Sequence, residues 1–215
     1  MMGISNPLFS IIVPAYNSER HIRFLMESIK QQSFHDYELI VICDSCKDKT
    51  EEVAQSYGAI TENVNFGRDG LSRDRGLEIA QGEWVLFADD DDWFLHEFCF
   101  QQLAEVVTNT GKDMDMIAFS YIFRTKQYFK QTPETIFKPR VAHVWSDCWR
   151  RSVIGDARFG DAVFSSDTYF LKAMKDRVKH YAIWDMPLYY YNFRRPGSQT
   201  DLFCRGLLQQ SPVAE

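Results

Sequence analysis

The sequence predicts an α/β fold with a mostly parallel central sheet flanked by helices, and three observations carry that reading. Short apolar runs recur without polar alternation, as strands do when both faces of their sheet are covered. Between them stand segments with apolar residues at helical spacing. The runs end in polar or acidic clusters, where a sheet of this kind gathers its ligands. One run, Trp84-Val85-Leu86-Phe87-Ala88, leads straight into four consecutive carboxylates, Asp89 to Asp92, followed by Trp93.

Leu8 to Val13 reads as the first strand, stopped by Pro14-Ala15-Tyr16-Asn17. Ile22, Leu25, Met26 and Ile29 then mark a helix, with Ser18 or Asn17 as its N-cap. Tyr37 to Cys43 is a second buried strand, running into Asp44-Ser45-Cys46. Val53, Ala54 and Tyr57 mark a helix ended by Gly58, and Ala59 to Asn63 a short third strand. Leu71 to Ala80 is helical up to Gly82, before the strand that enters the acidic run. Beyond it the spacing predicts helices over Phe94 to Thr108, Val144 to Ile154 and Ser165 to Lys175. Strands are predicted over Met114 to Phe123, Tyr181 to Ile183 and Pro187 to Phe193.

The chain of 215 residues reads as a single domain over 1–215. Its 45% hydrophobic and 15% aromatic content suffices for a sizeable core. A net charge of −6 leaves no basic field for phosphate backbones, so nucleic acid is excluded as main partner. Neither a secretion signal nor a spanning apolar stretch is visible, which places the protein in the cytoplasm or at the inner face of a membrane, with peripheral contact only. The five scattered cysteines suit reduced thiols. Nothing in the pattern fixes an oligomeric state.

Four adjacent anions repel one another, so stability alone does not explain them. They form either a solvated turn capping the next helix or a site for magnesium or manganese bridged to a phosphate. No Gly-x-x-x-x-Gly-Lys-Ser/Thr loop and no Gly-x-Gly-x-x-Gly after the first strand are present, which argues against a P-loop enzyme and a dinucleotide dehydrogenase.

Four segments in order resemble the family-2 glycosyltransferases of the GT-A fold. They are Phe9 to Asn17, Glu38 to Ser45, Gly70 to Gly76 and Phe87 to Trp93. The resemblance implies a nucleotide-sugar-binding half over about 1–110 and an acceptor-facing half over about 111–215. It places Pro14, Tyr16 and Asn17 around the nucleoside, and Asp44 on the base. Arg73 then faces the diphosphate. Asp89 and Asp91 form the Asp-x-Asp pair, with Asp89 toward the ribose and Asp91 as main metal ligand; Asp90 is the intervening residue and Asp92 caps the following helix.

A later segment, Phe159 to Phe170, resembles the family's base-carrying turn. It puts the general base on Asp167, with Asp161 as the alternative; a first-turn helix carboxylate behind an N-cap at Ser165 is the plainer reading of Asp167. Leu188 to Ser198 resembles the closing Tyr-rich strand and basic loop, in which Arg194 or Arg195 folds over the diphosphate or is simply solvated. The sequence departs from the family at Cys43 and Asp74, where acidic and Asn residues are usual, and at Ser166, which replaces a Glu. Asp74 is expected to turn to Arg75 or a helix N-terminus.

Other signals are weaker. Cys43-x-x-Cys46 reads as structural thiols rather than a zinc or redox pair, His143 as a surface or core residue, and His96 as a helix residue pointing away. Trp145 and Trp149 would share one helical face, as core or as a sugar-stacking platform.

The expectation is therefore an inverting, metal-dependent glycosyltransferase. It moves a sugar from a nucleotide-diphosphate sugar, UDP favoured, to a hydroxyl of a saccharide or lipid-linked acceptor in bacterial polysaccharide or glycolipid synthesis. The alternatives are a non-catalytic nucleotide-sugar-binding protein and a sugar nucleotidyltransferase.

Overall fold

The computed structural model describes residues 6–110, 113–138, 143–163, 165–193, 195–196 and 198–207. In chain order the first half comprises β1 (Phe9–Ala15), α1 (Ile22–Lys30), β2 (Tyr37–Asp44), α2 (Thr50–Ser56), β3 (Ile60–Val64), α3 (Asp69–Ile79) and β4 (Trp84–Phe87). There follow β5 (Trp93–Phe94), α4 (Cys99–Asn109), β6 (Met116–Phe123) and β7 (Tyr128–Phe129). After a 3-10 turn at Val144–Ser146 come β8 (Asp147–Arg150), α5 (Arg151–Ile154), α6 (Ser166–Lys175), β9 (Tyr181–Tyr191) and α7 (Gln199–Cys204).

One nine-stranded sheet runs in the order β3-β2-β1-β4-β8-β6-β9-β5, with β7 paired to β6. The first four strands are parallel, as the repeated strand–helix pattern requires. The second half is mixed: β8 runs antiparallel to both β4 and β6, whereas β9 is parallel to β6.

Both faces of the parallel part are covered, which is why its strands lack alternation. Phe9, Ile11 and Val13 of β1 join one core with Leu25 and Met26 of α1 and Leu103 of α4. Ile12, one residue out of phase, joins the other core with Leu77 of α3 and Phe170 and Met174 of α6. The turn into β4 fits tightly under β1. A Cβ at Gly82 would stand 2.5 Å from the Ser10 amide nitrogen, and the Gly82 N–H donates to Ser10 Oγ at 2.8 Å.

Several local expectations are corrected. Neither Ser18 nor Asn17 caps α1, which starts after a turn in which the Ser18 carbonyl accepts from His21 and Ile22. No helix begins at Phe94: Trp93 and Phe94 form β5 against Tyr189 and Tyr190, and α4 starts five residues later. Asp92 therefore caps nothing. It is fully buried and accepts the Asn192 N–H at 2.8 Å. His96 precedes α4 and accepts the Phe98 N–H through Nδ1. Val144 to Ile154 is not one helix but turn, strand and short helix, because pairing of β8 with β4 and β6 overrides the local spacing. Trp145 and Trp149 consequently bury themselves in opposite cores, and Trp145 is too enclosed to be a sugar platform. Ser165 adopts a left-handed conformation and makes no side-chain cap.

Candidate active site

The C-terminal ends of β1, β2 and β4 open into a cleft of about 700 Å³, closed on its other sides by α3, the start of α6 and the segment after β9. Pro14, Tyr16, Asn17, Asp44, Arg73, Asp89, Asp90, Asp91 and Asp167 all line it. Asp161 does not line it; its backbone carbonyl accepts from Arg68 Nε. Arg194 lies outside the described residues.

The members of the acidic run have separate partners. Asp89 Oδ1 accepts from Arg73 Nη2 at 2.7 Å, and the Asp89 N–H donates to the Tyr189 hydroxyl. Asp90, expected as the intervening residue on the donor side, accepts the Tyr16 N–H at 3.1 Å and so ties the β1 turn to the β4 turn. Asp91 Oδ2 accepts from Arg195 Nε at 2.6 Å. Burial and neighbouring charge push the Asp89 carboxyl up to about 7, against the pull of Arg73, and Asp90 up to about 8.

Asp44 lies in the lining with both carboxylate oxygens engaged by the loop ahead of it. Its Oδ1 accepts the N–H groups of Phe66 and Gly67, and its Oδ2 accepts from Arg68 N–H and Ser72 Oγ. Burial works against its charge, but these donors hold the carboxyl below the usual range. Asp44 thus organises the loop leading into α3, and Ser45 and Asn17 stand beside it in the cleft lining. Cys46 supports the same corner: its Sγ accepts the Asn17 N–H and donates to the Ala15 carbonyl, each at 3.4 Å, as a structural thiol does.

Helix α3 connects the two sides of the cleft. Arg73, only 4% exposed, pairs with Asp69 one turn earlier, with Asp89, and with Asp167 Oδ1 at 3.8 Å. Sequence reasoning missed Asp69, although its i,i+4 spacing to Arg73 was the available signal. Asp69 Oδ2 also accepts from Ser166 Oγ at 3.0 Å, next to Asp167. Asp74 turns neither to Arg75 nor to a helix N-terminus; it accepts the N–H groups of Phe159 and Gly160 at 2.8 and 2.9 Å. Gly70 permits the approach, since a Cβ there would stand 2.5 Å from the Gly160 carbonyl oxygen.

On the far side, Asp167 Oδ2 accepts the Val144 N–H at 3.4 Å. His143, also in the lining, lies flat on Trp145 with ring centroids 4.6 Å apart, and burial lowers its pKa. Behind this wall Asp147 is fully buried with both carboxylate oxygens unpartnered among the described residues, and burial raises its pKa well above the ordinary value. Burial disfavours the charged form, so the native state holds this proton to higher pH than the unfolded chain does, and stability falls as pH rises above the unfolded value near 4. Asp147→Asn removes that penalty. Its thermal midpoint at pH 7.5 should rise by a few degrees, the scale of about 1 kcal/mol in a chain of this length. The gain should vanish near pH 4; a melt series that shows no gain, or a gain independent of pH, contradicts the assignment.

Among the described residues no group of three or more His, Cys, Asp and Glu is set to hold a metal ion. The donor set nevertheless fits a hard divalent cation that keeps most of its waters and takes phosphate oxygens. The lining holds six carboxylates, of Asp44, Asp69, Asp89, Asp90, Asp91 and Asp167, against the guanidiniums of Arg68, Arg73 and Arg195. An anionic diphosphate entering such a cleft needs added positive charge.

The chain is similar to known proteins in both sequence and structure. EpsH of Bacillus subtilis (strain 168), named as a glycosyltransferase, is 28% identical over 220 residues, covering 87% of this chain and 61% of its own. TarS of Staphylococcus aureus (strain Mu50), a poly(ribitol-phosphate) beta-N-acetylglucosaminyltransferase, is 28% identical over 216 residues, covering 88% of this chain and 36% of its own. The chain thus spans less than two thirds of the length of these curated relatives. In structure, S. aureus TarS in complex with UDP-GlcNAc superimposes with a TM-score of 0.79 at 22% identity, covering 90% of this chain and 60% of that one. A mannosyltransferase from Pyrobaculum calidifontis, in complex with GDP-Man and Mn2+, gives 0.73 at 14% identity, covering 89% and 59%. These likenesses establish the GT-A fold. Residues 10–170 match the family described as glycosyl transferase family 2, and with that match over most of its length the chain belongs to this family.

Proposed function

We propose that this chain transfers a sugar from a nucleoside-diphosphate sugar, UDP favoured, to an acceptor hydroxyl with inversion at the sugar carbon. The observation that carries the reading is the pairing of two carboxylate groups across one cleft: Asp89 and Asp91 at the end of β4, and Asp167 at the start of α6, joined through Arg73. Asp167 takes the proton as the acceptor oxygen attacks the sugar carbon, and the bond from that carbon to the diphosphate oxygen breaks on the opposite side. Asp91, with Asp89, holds a divalent cation, manganese or magnesium; when bound, it supplies Lewis-acid stabilisation of the departing diphosphate. Pro14, Tyr16 and Asn17 border the nucleoside, and Asp44 keeps the loop beside it in shape.

The preference for UDP draws on the UDP-GlcNAc complex of the S. aureus relative. Synthesis of a bacterial surface polysaccharide draws on that relative's poly(ribitol-phosphate) activity. Such donors and acceptors would be met in the cytoplasm or at a membrane's inner face; among the described residues no helix is long and apolar enough to cross a membrane.

Calorimetry with UDP-, GDP- and dTDP-sugars, with and without Mn2+, tests the proposal. UDP-sugar should bind at least about tenfold tighter with the metal, and the purified chain should release UDP slowly. A chain that binds donor but neither transfers nor hydrolyses it is a non-catalytic binder. Pyrophosphate release from UTP and a sugar phosphate would identify a nucleotidyltransferase.

A further inference from the structure

The carboxylate assigned to the cation already holds a positive group. Arg195 Nε lies 2.6 Å from Asp91 Oδ2, with the two side chains 21% and 13% exposed. The segment carrying Arg195 is fastened to the same acidic turn: Asn192 donates its N–H to Asp92 Oδ1 at 2.8 Å and its side-chain amide to the Asp91 carbonyl at 3.2 Å. Just before it, Tyr190 stacks on Trp93 with ring centroids 4.0 Å apart. The root of the segment is therefore fixed, and Arg195 reaches Asp91 from three residues further on. Arg73 is locked among Asp69, Asp89 and Asp167. Arg195 instead reaches Asp91 from outside the helices and strands.

We infer that Arg195 and the divalent cation are alternative occupants of Asp91. The inference rests on the metal role proposed for Asp91. A guanidinium and a dication on one carboxylate repel each other, so the cation enters by displacing Arg195. In the empty cleft the arginine neutralises Asp91 and depresses its affinity for free metal. When a nucleoside diphosphate arrives with the cation, its phosphate oxygens offer the displaced guanidinium a new partner within reach of the same root. Metal and nucleotide then favour each other's binding, and the share of that coupling that disappears with Arg195 is the signature of the exchange.

Mn2+ binding, followed by calorimetry or by the electron-spin signal of the free ion, tests this without any turnover. In the absence of nucleotide, Arg195→Gln should bind Mn2+ about two- to fivefold tighter than wild type, the effect of removing one competing ion pair. With UDP present the advantage should disappear, because UDP tightens Mn2+ binding in wild type more than in the variant. Arg195→Lys, which keeps the charge, should stay closer to wild type; an equal gain in both variants would mean a loosened loop and overturn the exchange. If Arg195→Gln binds Mn2+ no tighter than wild type while Asp91→Asn loses binding, the exchange is wrong and the metal role stands. If Asp91→Asn binds Mn2+ like wild type, the metal role fails and the exchange fails with it.

Discussion

Replacing Asp167 by Asn should lower the rate of sugar transfer by about 10²- to 10⁴-fold, the usual loss when a general base is removed. The substitution keeps the shape and one acceptor for the Val144 N–H, which reaches Asp167 Oδ2 at 3.4 Å, so the cleft wall should stay in place. Donor affinity, measured by calorimetry with Mn2+ and UDP, should change by no more than about twofold, since the variant removes an interaction made in the transition state rather than in the ground state. The neighbouring Ser166 makes the test sharper. Ser166→Ala loses a hydroxyl that donates to Asp69 but no carboxylate, and it should retain most of the rate. Transfer by Asp167→Asn at the wild-type rate would place the base elsewhere. Asp161 is then a poor substitute, because it stands outside the cleft lining.

Arg73→Ala should be the most damaging change to stability in the site. The guanidinium is 5% exposed as a side chain and compensates Asp69, Asp89 and Asp167 together. Its carbon lies 5.5 Å from the centroid of the Phe159 ring, so water cannot readily replace it from that side. Removing one partner of a buried ion pair costs about 3–5 kcal/mol. In a chain of this length that is a fall of roughly 6–20 °C in the thermal midpoint. Arg73→Lys should recover part of the stability but little activity, since one ammonium cannot fork between Asp89 and Asp69. A melt of Arg73→Ala within about 1 °C of wild type would show that the three carboxylates do not depend on this arginine.

Much of the fold was legible because its signals are local. Strands β1, β2 and β4 are apolar on both faces, and α1 repeats Ile22, Leu25, Met26 and Ile29 on one side, so neighbours in sequence suffice to find them. The errors fall where the deciding partner is distant. Strand β5 exists only through pairing with Tyr189 and Tyr190. Trp145 and Trp149 have helical spacing, but the 3-10 turn and the pairing of β8 send them to opposite cores. The site divides in the same way. That Asp89, Asp91, Arg73 and Asp167 would share a cleft was readable by resemblance. The detailed partners were not: Asp44 folds back on a loop more than twenty residues ahead, and Asp74 reaches a loop 85 residues ahead. The hydrogen bonds that consume a carboxylate leave no trace in its own vicinity.

The antiparallel pairing of β8 with β4 has a mechanical consequence. The two halves of the chain do not meet as separate bodies across a hinge; they are laced into one plate, with Trp84, Val85 and Leu86 registered against Arg150, Trp149 and Cys148. Side chains from both halves fill the core on each side of that plate. Such a plate resists folding about the β4–β8 line, so the cleft cannot close by bringing one half down on the other. Whatever seals the reacting groups from water must move at the rim. Arg195, Ser198, Thr200 and Leu202 border the cleft without belonging to the sheet, and they are where such a movement should be sought.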